Sequence, residues 1–234
     1  MNRVELIQSI INKKKITRYL EIGTYKGQSF FPIKCKRKVA VDPQFNIPLK
    51  RKLKWIYKDF NNLFNTYAEL TSDDFFEKKA SLVQRFKPQL VFVDGLHTFK
   101  ASLLDVLNSL KYLSNDGVII MHDCLPPNKA ASIFANSFKE AIAMKLEGWT
   151  GEWTGDVWKT IVYLKEKYGN ALKVCVFDSD YGLGYIRVVG NVDDFSIDEA
   201  IFNKVDAMSY DTLMADTSLI NLKPVDQIYN TIES

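Results

Sequence analysis

The chain has 234 residues, 47% hydrophobic and 25% charged, with a formal net charge of +3. This composition lies near the average for globular proteins and excludes disordered and fibrous classes, and no apolar run approaches the roughly 20 residues of a helical membrane span. The small net charge does not mark a nucleic-acid binder, and Met1 to Lys15 is charged where a secretion signal has its apolar centre, so the reading is one large domain working in the cytoplasm.

In chain order, Arg3 to Asn12 carries Val4, Leu6, Ile7, Ile10 and Ile11 at helical spacing. Tyr19 to Ile22 is a short strand that ends at Gly23, where a glycine turn and a helix are predicted to follow. Lys38 to Asp42 reads as a second strand, stopped by Pro43, and Thr66 to Leu70 as a weak third before a helical stretch from Asp73 to Phe86. Residues 46–65 form a connector without a clear pattern. Leu90 to Asp94 and Gly117 to Met121 are continuous apolar strands of the kind buried on both faces of a parallel sheet, and Leu103 to Leu113 is the amphipathic helix between them. Trp158 to Tyr168 is a helix stopped by Gly169. Val174 to Phe177 and Tyr185 to Val189 are joined by a loop too short for a parallel crossover, which needs about a dozen residues, so they form an antiparallel hairpin. The fold class is therefore α/β, a doubly wound, mostly parallel sheet closed by a hairpin. Residues 1–192 make the sheet domain and 193–234 a helical C-terminal extension of it, with Ile197 to Met208 its clearest segment and a homo-oligomer interface one possible use.

Cys35, Cys124 and Cys175 are odd in number and lack ligand spacing, which predicts reduced, buried thiols with no part in chemistry. Basic residues gather at Lys34, Lys36, Arg37 and Lys38, then at Lys50, Arg51, Lys52 and Lys54. This cluster reads as a solvated face beside an edge strand.

Glu21-Ile22-Gly23-Thr24-Tyr25-Lys26-Gly27 places a turn after a strand, where open α/β sheets bind nucleotides. Tyr25 stands where a dinucleotide fingerprint requires its central glycine, which disfavours a pyrophosphate. Glu21 would repel phosphate but could hold an ammonium group or organise the loop. Asp42, about 20 residues on, is placed to accept ribose hydroxyls. An amino acid joined to a nucleoside satisfies both.

Tyr19 to Thr24 with Gly27, then Val41-Asp42-Pro43, resembles the first two motifs of class I S-adenosylmethionine-dependent methyltransferases, over about Tyr19 to Val189. The resemblance implies a cofactor-binding set of Glu21, Gly23, Thr24, Tyr25, Gly27, Ser29, Asp42, Ser72 and Asp94, with Ser72 near the adenine.

Asp94-Gly95-Leu96-His97 ends one strand and His122-Asp123 the next. If those strands are neighbours, about 4.8 Å apart, both histidines of the chain meet two carboxylates at one edge. Methyl transfer to a hydroxyl needs the proton removed and the oxygen held in line. His97 is read as the base, and Asp94, Asp123 and His122 as candidate ligands for a divalent ion, with His122 alternatively orienting one of the carboxylates. The segment from Val93 to Asp123 is similar to a branch that includes sugar O-methyltransferases, several of which use magnesium. Where that branch places two acidic residues after the fifth strand this chain has His122-Asp123, one carboxylate fewer, which either weighs against a metal or shifts preference from magnesium toward manganese or another ion that accepts imidazole. Pro126, Pro127, Trp149, Trp153 and Gly155 to Lys159 would then close over a small, sugar-like acceptor, or merely pack the next helix. The alternatives are an RNA methyltransferase and a non-catalytic binding module that retains the cofactor fold.

Overall fold

Along the central strands successive side chains fall on opposite faces, and both faces are buried, as a sheet covered on two sides requires. In the computed structural model, which describes residues 1–233, Leu20 and Ile22 enter one core with Val91, Val93, Ile119 and Met121. Tyr19 enters the other with Leu90, Phe92, Val118 and Ile120.

The elements are α1 (Arg3–Lys14), β1 (Arg18–Ile22), β2 (Arg37–Asp42), α2 (Leu49–Lys58), β3 (Thr66–Glu69), α3 (Ser72–Lys78), α4 (Ala80–Phe86), β4 (Leu90–Val93), α5 (Phe99–Tyr112), β5 (Val118–Met121), α6 (Phe138–Ala143), α7 (Trp158–Tyr168), β6 (Leu172–Phe177), β7 (Leu183–Val188), α8 (Glu199–Asp206), α9 (Tyr210–Ala215), β8 (Leu222–Lys223) and α10 (Ile228–Glu233). The sheet runs β3-β2-β1-β4-β5-β7-β6-β8. The β5·β7 and β6·β7 pairs are antiparallel and the others parallel. The tips of β1, β4 and β5 therefore lie side by side, and the order reverses beside β1. No helix among the described residues is long and apolar enough to cross a membrane.

Five stretches differ from the sequence reading, the last at the C-terminus. After Gly23 there is no regular helix, only turns, because Tyr25 (φ 40°) and Gly27 (φ 68°) take left-handed conformations that a right-handed helix excludes. Lys38, read as part of a solvated basic face, is instead buried, and its ammonium gathers the carbonyls of Phe30 (2.7 Å) and Ile33 (2.8 Å) to shape this irregular segment. The patternless connector contains α2 and a 3₁₀ turn over Phe60–Phe64. The helix over 73–86 is broken at Lys79, with Phe75 and Phe76 buried before the break and Val83 after it.

The C-terminal segment is not purely helical, since β8 extends the sheet beside β6. It packs on the same core. Phe202 of α8 stacks on Phe99 at 4.6 Å, and Val205, Leu213 and Ile220 are fully buried. The three cysteines are free and buried.

Candidate active site

Gly23, Asp94 and His122 each follow directly on a strand tip, so neighbouring strands deliver them to one place. The backbones approach so closely there that a Cβ on Gly23 (φ 87°) would lie 1.8 Å from the Asp94 carbonyl oxygen. The glycine is required by the junction of two loops. A cavity of about 340 Å³ opens at this junction, lined on one side by Gly23, Thr24, Tyr25 and Ser29 and on the other by Asp94, His97, His122 and Asp123.

His97 is held from behind. Its Nδ1 lies 2.7 Å from the Trp153 carbonyl, which can only accept, so Nδ1 carries a proton. The ring tilts over the Trp153 indole at 5.0 Å. Gly155 (φ 58°) lies where a Cβ would come 1.7 Å from the His97 carbonyl, and Asp156 Oδ1 accepts the Phe99 amide at 2.6 Å, anchoring the start of α5. The segment 153–156, read from sequence as an acceptor-side element, thus serves as the mount of His97, and Trp158 is core.

The other imidazole nitrogen, Nε2, faces two carboxylates: Asp123 Oδ2 at 3.3 Å and Asp94 Oδ1 at 3.7 Å. Burial opposes a charge on this ring, but the carboxylates prevail and push its pKa up to about 9. A histidine of that pKa keeps its proton at neutral pH, so the unperturbed base expected from sequence is not what these surroundings produce. Burial would likewise raise the Asp94 carboxyl, yet the imidazole N–H groups of His122 (Nδ1, 3.5 Å) and His97 (Nε2, 3.7 Å) that face its Oδ1 hold it below the ordinary range.

His122 is arranged differently. Its Nδ1 lies 3.0 Å from Asp123 Oδ2, and its Nε2 lies 2.5 Å from the Arg3 guanidinium. The neighbouring carboxylates favour the imidazolium, but arginine can only donate, so Nε2 must accept and the contact selects the neutral ring. Arg3 is itself held by Asp180, which accepts its amide at 2.7 Å.

Among the described residues, the ligand atoms within 4.8 Å of one another belong to Asp94, His97 and Asp123. That group contains His97 where sequence placed His122. His122 stands behind it, orienting Asp123. Two carboxylates and an imidazole nitrogen suit a divalent cation of the magnesium or manganese type, with manganese the better match to nitrogen.

Several residues expected at the cofactor do not line the cavity. Glu21 is fully buried, accepting from Tyr19 Oη (2.5 Å) and Ser29 Oγ (2.9 Å), so of its two anticipated roles the geometry supplies the organising one. Asp42 accepts the amides of Tyr25 (2.7 Å) and Gln44 (2.8 Å) and fixes the turn beside the cavity. Gly27 lies against the Phe31 ring. Ser72 begins α3, capped by Thr71, and hydrogen bonds to Asp105. Arg3 and Asp180 were missed because they meet His122 from 119 residues upstream and from the β6–β7 turn, with no local signal for either.

Comparison with known proteins bears on the fold that carries this cavity. Residues 20–124 match the model of a methyltransferase domain family. No curated protein matches the chain in sequence. Solved structures similar to it include the O-methyltransferase TomG of Streptomyces achromogenes, involved in tomaymycin synthesis and bound to S-adenosylmethionine (TM-score 0.55, 12% identity, 80% of each chain covered). A Podospora anserina methyltransferase bound to S-adenosylhomocysteine gives a TM-score of 0.56 at 17% identity, covering 80% of this chain and 78% of that one. An O-methyltransferase of Bacillus cereus, also bound to S-adenosylhomocysteine, gives 0.52 at 13% identity, covering 79% and 78%. Residues 20–124 are thus similar to a methyltransferase domain family, and the chain as a whole shares its fold with these solved O-methyltransferase and methyltransferase structures.

Proposed function

We propose that the protein transfers the methyl group of S-adenosylmethionine to a hydroxyl of a small, sugar-like molecule, with Asp94, His97 and Asp123 holding a divalent magnesium or manganese ion. The observation that carries this reading is the single cavity with Gly23 to Tyr25 on one wall and those three residues on the other. Carboxylates on the wall suit a donor that bears a sulfonium and an ammonium, and would repel a pyrophosphate.

The sulfonium supplies the electrophilic methyl, and the cation supplies positive charge that acidifies a hydroxyl. The chain's own residues do the rest. Trp153 fixes the His97 tautomer, so that Nε2 points at Asp94 and Asp123. Nε2 carries a proton when no cation faces it, and to hold one it would have to be deprotonated. His97 alone therefore becomes a base only toward pH 9. Phe138, Trp153 and Tyr181 add aromatic surface to the same cavity, and Glu152 adds an acceptor for hydroxyl groups, a combination suited to a sugar ring. The buried free thiols support a reducing, cytoplasmic setting.

Chelation followed by titration with magnesium or manganese, assayed with labelled donor against a panel of nucleotide sugars and glycans, tests the reading. Turnover should vanish on chelation and return with the ion, and His97→Ala and Asp123→Asn should each lose at least about 100-fold. Turnover at pH 7 that is indifferent to chelator would remove the ion, and a labelled product lacking an O-methyl group would remove the acceptor class.

A further inference from the structure

Helix α2 and the 3₁₀ turn after it present an outward face that the proposed reaction does not use. One side of the helix is anchored: Trp55 stacks on Phe31 (6.5 Å, 9°), the Lys52 ammonium sits over the Tyr67 ring at 4.3 Å, and Arg51 donates to the Lys26 carbonyl at 2.7 Å. The opposite side carries Leu49, Leu53 and Tyr57 at four-residue spacing, beside Lys50, Lys54 and Lys58 at the same spacing. Two stripes, one apolar and one cationic, therefore run side by side along the helix. No residue of α2 is fully buried, and Leu49 is 70% and Tyr57 94% exposed. The turn continues the apolar stripe with exposed Phe60, Leu63 and Phe64. Single exposed apolar side chains are common, but six within one short stretch mark a surface that meets something.

We propose that this face docks the protein on the surface of an anionic lipid bilayer, with the apolar stripe in the acyl boundary and the lysines on lipid phosphates. Charge complementarity selects this occupant, since α2 contains five lysines and arginines and no Asp or Glu. A second copy seated on the same face would oppose the lysine stripe with its own. RNA would use the lysines and aromatic rings but leave Leu49, Leu53 and Leu63 without a partner, whereas a bilayer accommodates aliphatic and aromatic groups alike. The contact of Arg51 with Lys26, a residue lining the catalytic cavity, places the docked helix next to the cofactor loop. The inference stands independently of the acceptor and the ion.

The test is co-sedimentation of the full chain with phosphatidylcholine vesicles, with and without phosphatidylglycerol. Binding is expected only to the anionic vesicles and should be released by salt. The triple variant Lys50→Gln/Lys54→Gln/Lys58→Gln should bind roughly 100-fold more weakly, and Leu53→Gln/Tyr57→Gln at least about tenfold more weakly, with thermal melts confirming that both variants fold. Failure of the wild-type chain to sediment with anionic vesicles would overturn the proposal, as would binding unaffected by both variants. So would RNA displacing the vesicles at equal charge, or a dimer in light scattering that Leu53→Gln/Tyr57→Gln dissolves.

Discussion

At the scale of single residues, the site is governed by which nitrogen or oxygen is already occupied. Arg3 decides the form of His122: with the guanidinium on Nε2, the remaining proton sits on Nδ1 and orients Asp123. Arg3→Gln should release this constraint, so that the ring takes a proton from solvent at neutral pH and the neighbouring carboxylates stabilise the imidazolium. The ¹⁵N shifts of His122 report the change directly, with turnover falling by about 10- to 100-fold, the usual cost of losing an orienting partner. Glu21 offers a separate check. Burial pushes its carboxyl up to about 7 from an ordinary 4.5. A raised acid contributes stability that is complete below the unfolded pKa and is lost as pH rises through the folded one. Unfolding free energy measured by urea titration should therefore fall between pH 4.5 and 7, together with a like contribution from buried Asp105, also raised to about 7, and Glu21→Gln should make that decline shallower by the share of Glu21.

At the scale of elements, the mount of His97 is a short segment, not a strand. Asp156 accepts the first amide of α5 and pairs with Lys159 at 3.2 Å, both groups being buried. Asp156→Ala should cost about 2 kcal/mol in chemical denaturation, because it strands the buried Phe99 amide and leaves the Lys159 ammonium only its Asp206 partners. Gly155→Ala should instead leave a folded protein in which His97 is displaced, with the loss falling on turnover more than on stability. The strands were legible in sequence because alternation and continuous apolar runs directly record burial, and the closing hairpin followed from a loop too short to cross over. The segment after Gly23 was not, because its shape comes from left-handed residues and from Lys38 collecting distant carbonyls, which leave no periodic trace. Helix α2 was illegible for another reason: its apolar stripe of Leu49, Leu53 and Tyr57 is interleaved with five lysines and arginines and faces outward, so it does not read as a core helix.

At the scale of the whole molecule, the sheet order does the assembling. Placing β1, β4 and β5 side by side brings a four-residue signal, Asp94 to His97, together with a dipeptide, His122-Asp123, so these side chains could be grouped from sequence once the strands were taken as neighbours. What sequence left open was the division of labour, since that depends on Arg3 from α1 and Asp180 from the β6–β7 turn arriving behind His122. The central claim is that one cavity holds the methyl donor against the trio Asp94, His97 and Asp123. A crystal structure of the chain with S-adenosylhomocysteine and manganese tests it most directly. The expected result is an anomalous peak in contact with those three side chains, with the nucleoside sulfur in the same cavity beside Gly23. Manganese bound elsewhere, or the nucleoside lodged outside that cavity, would contradict it.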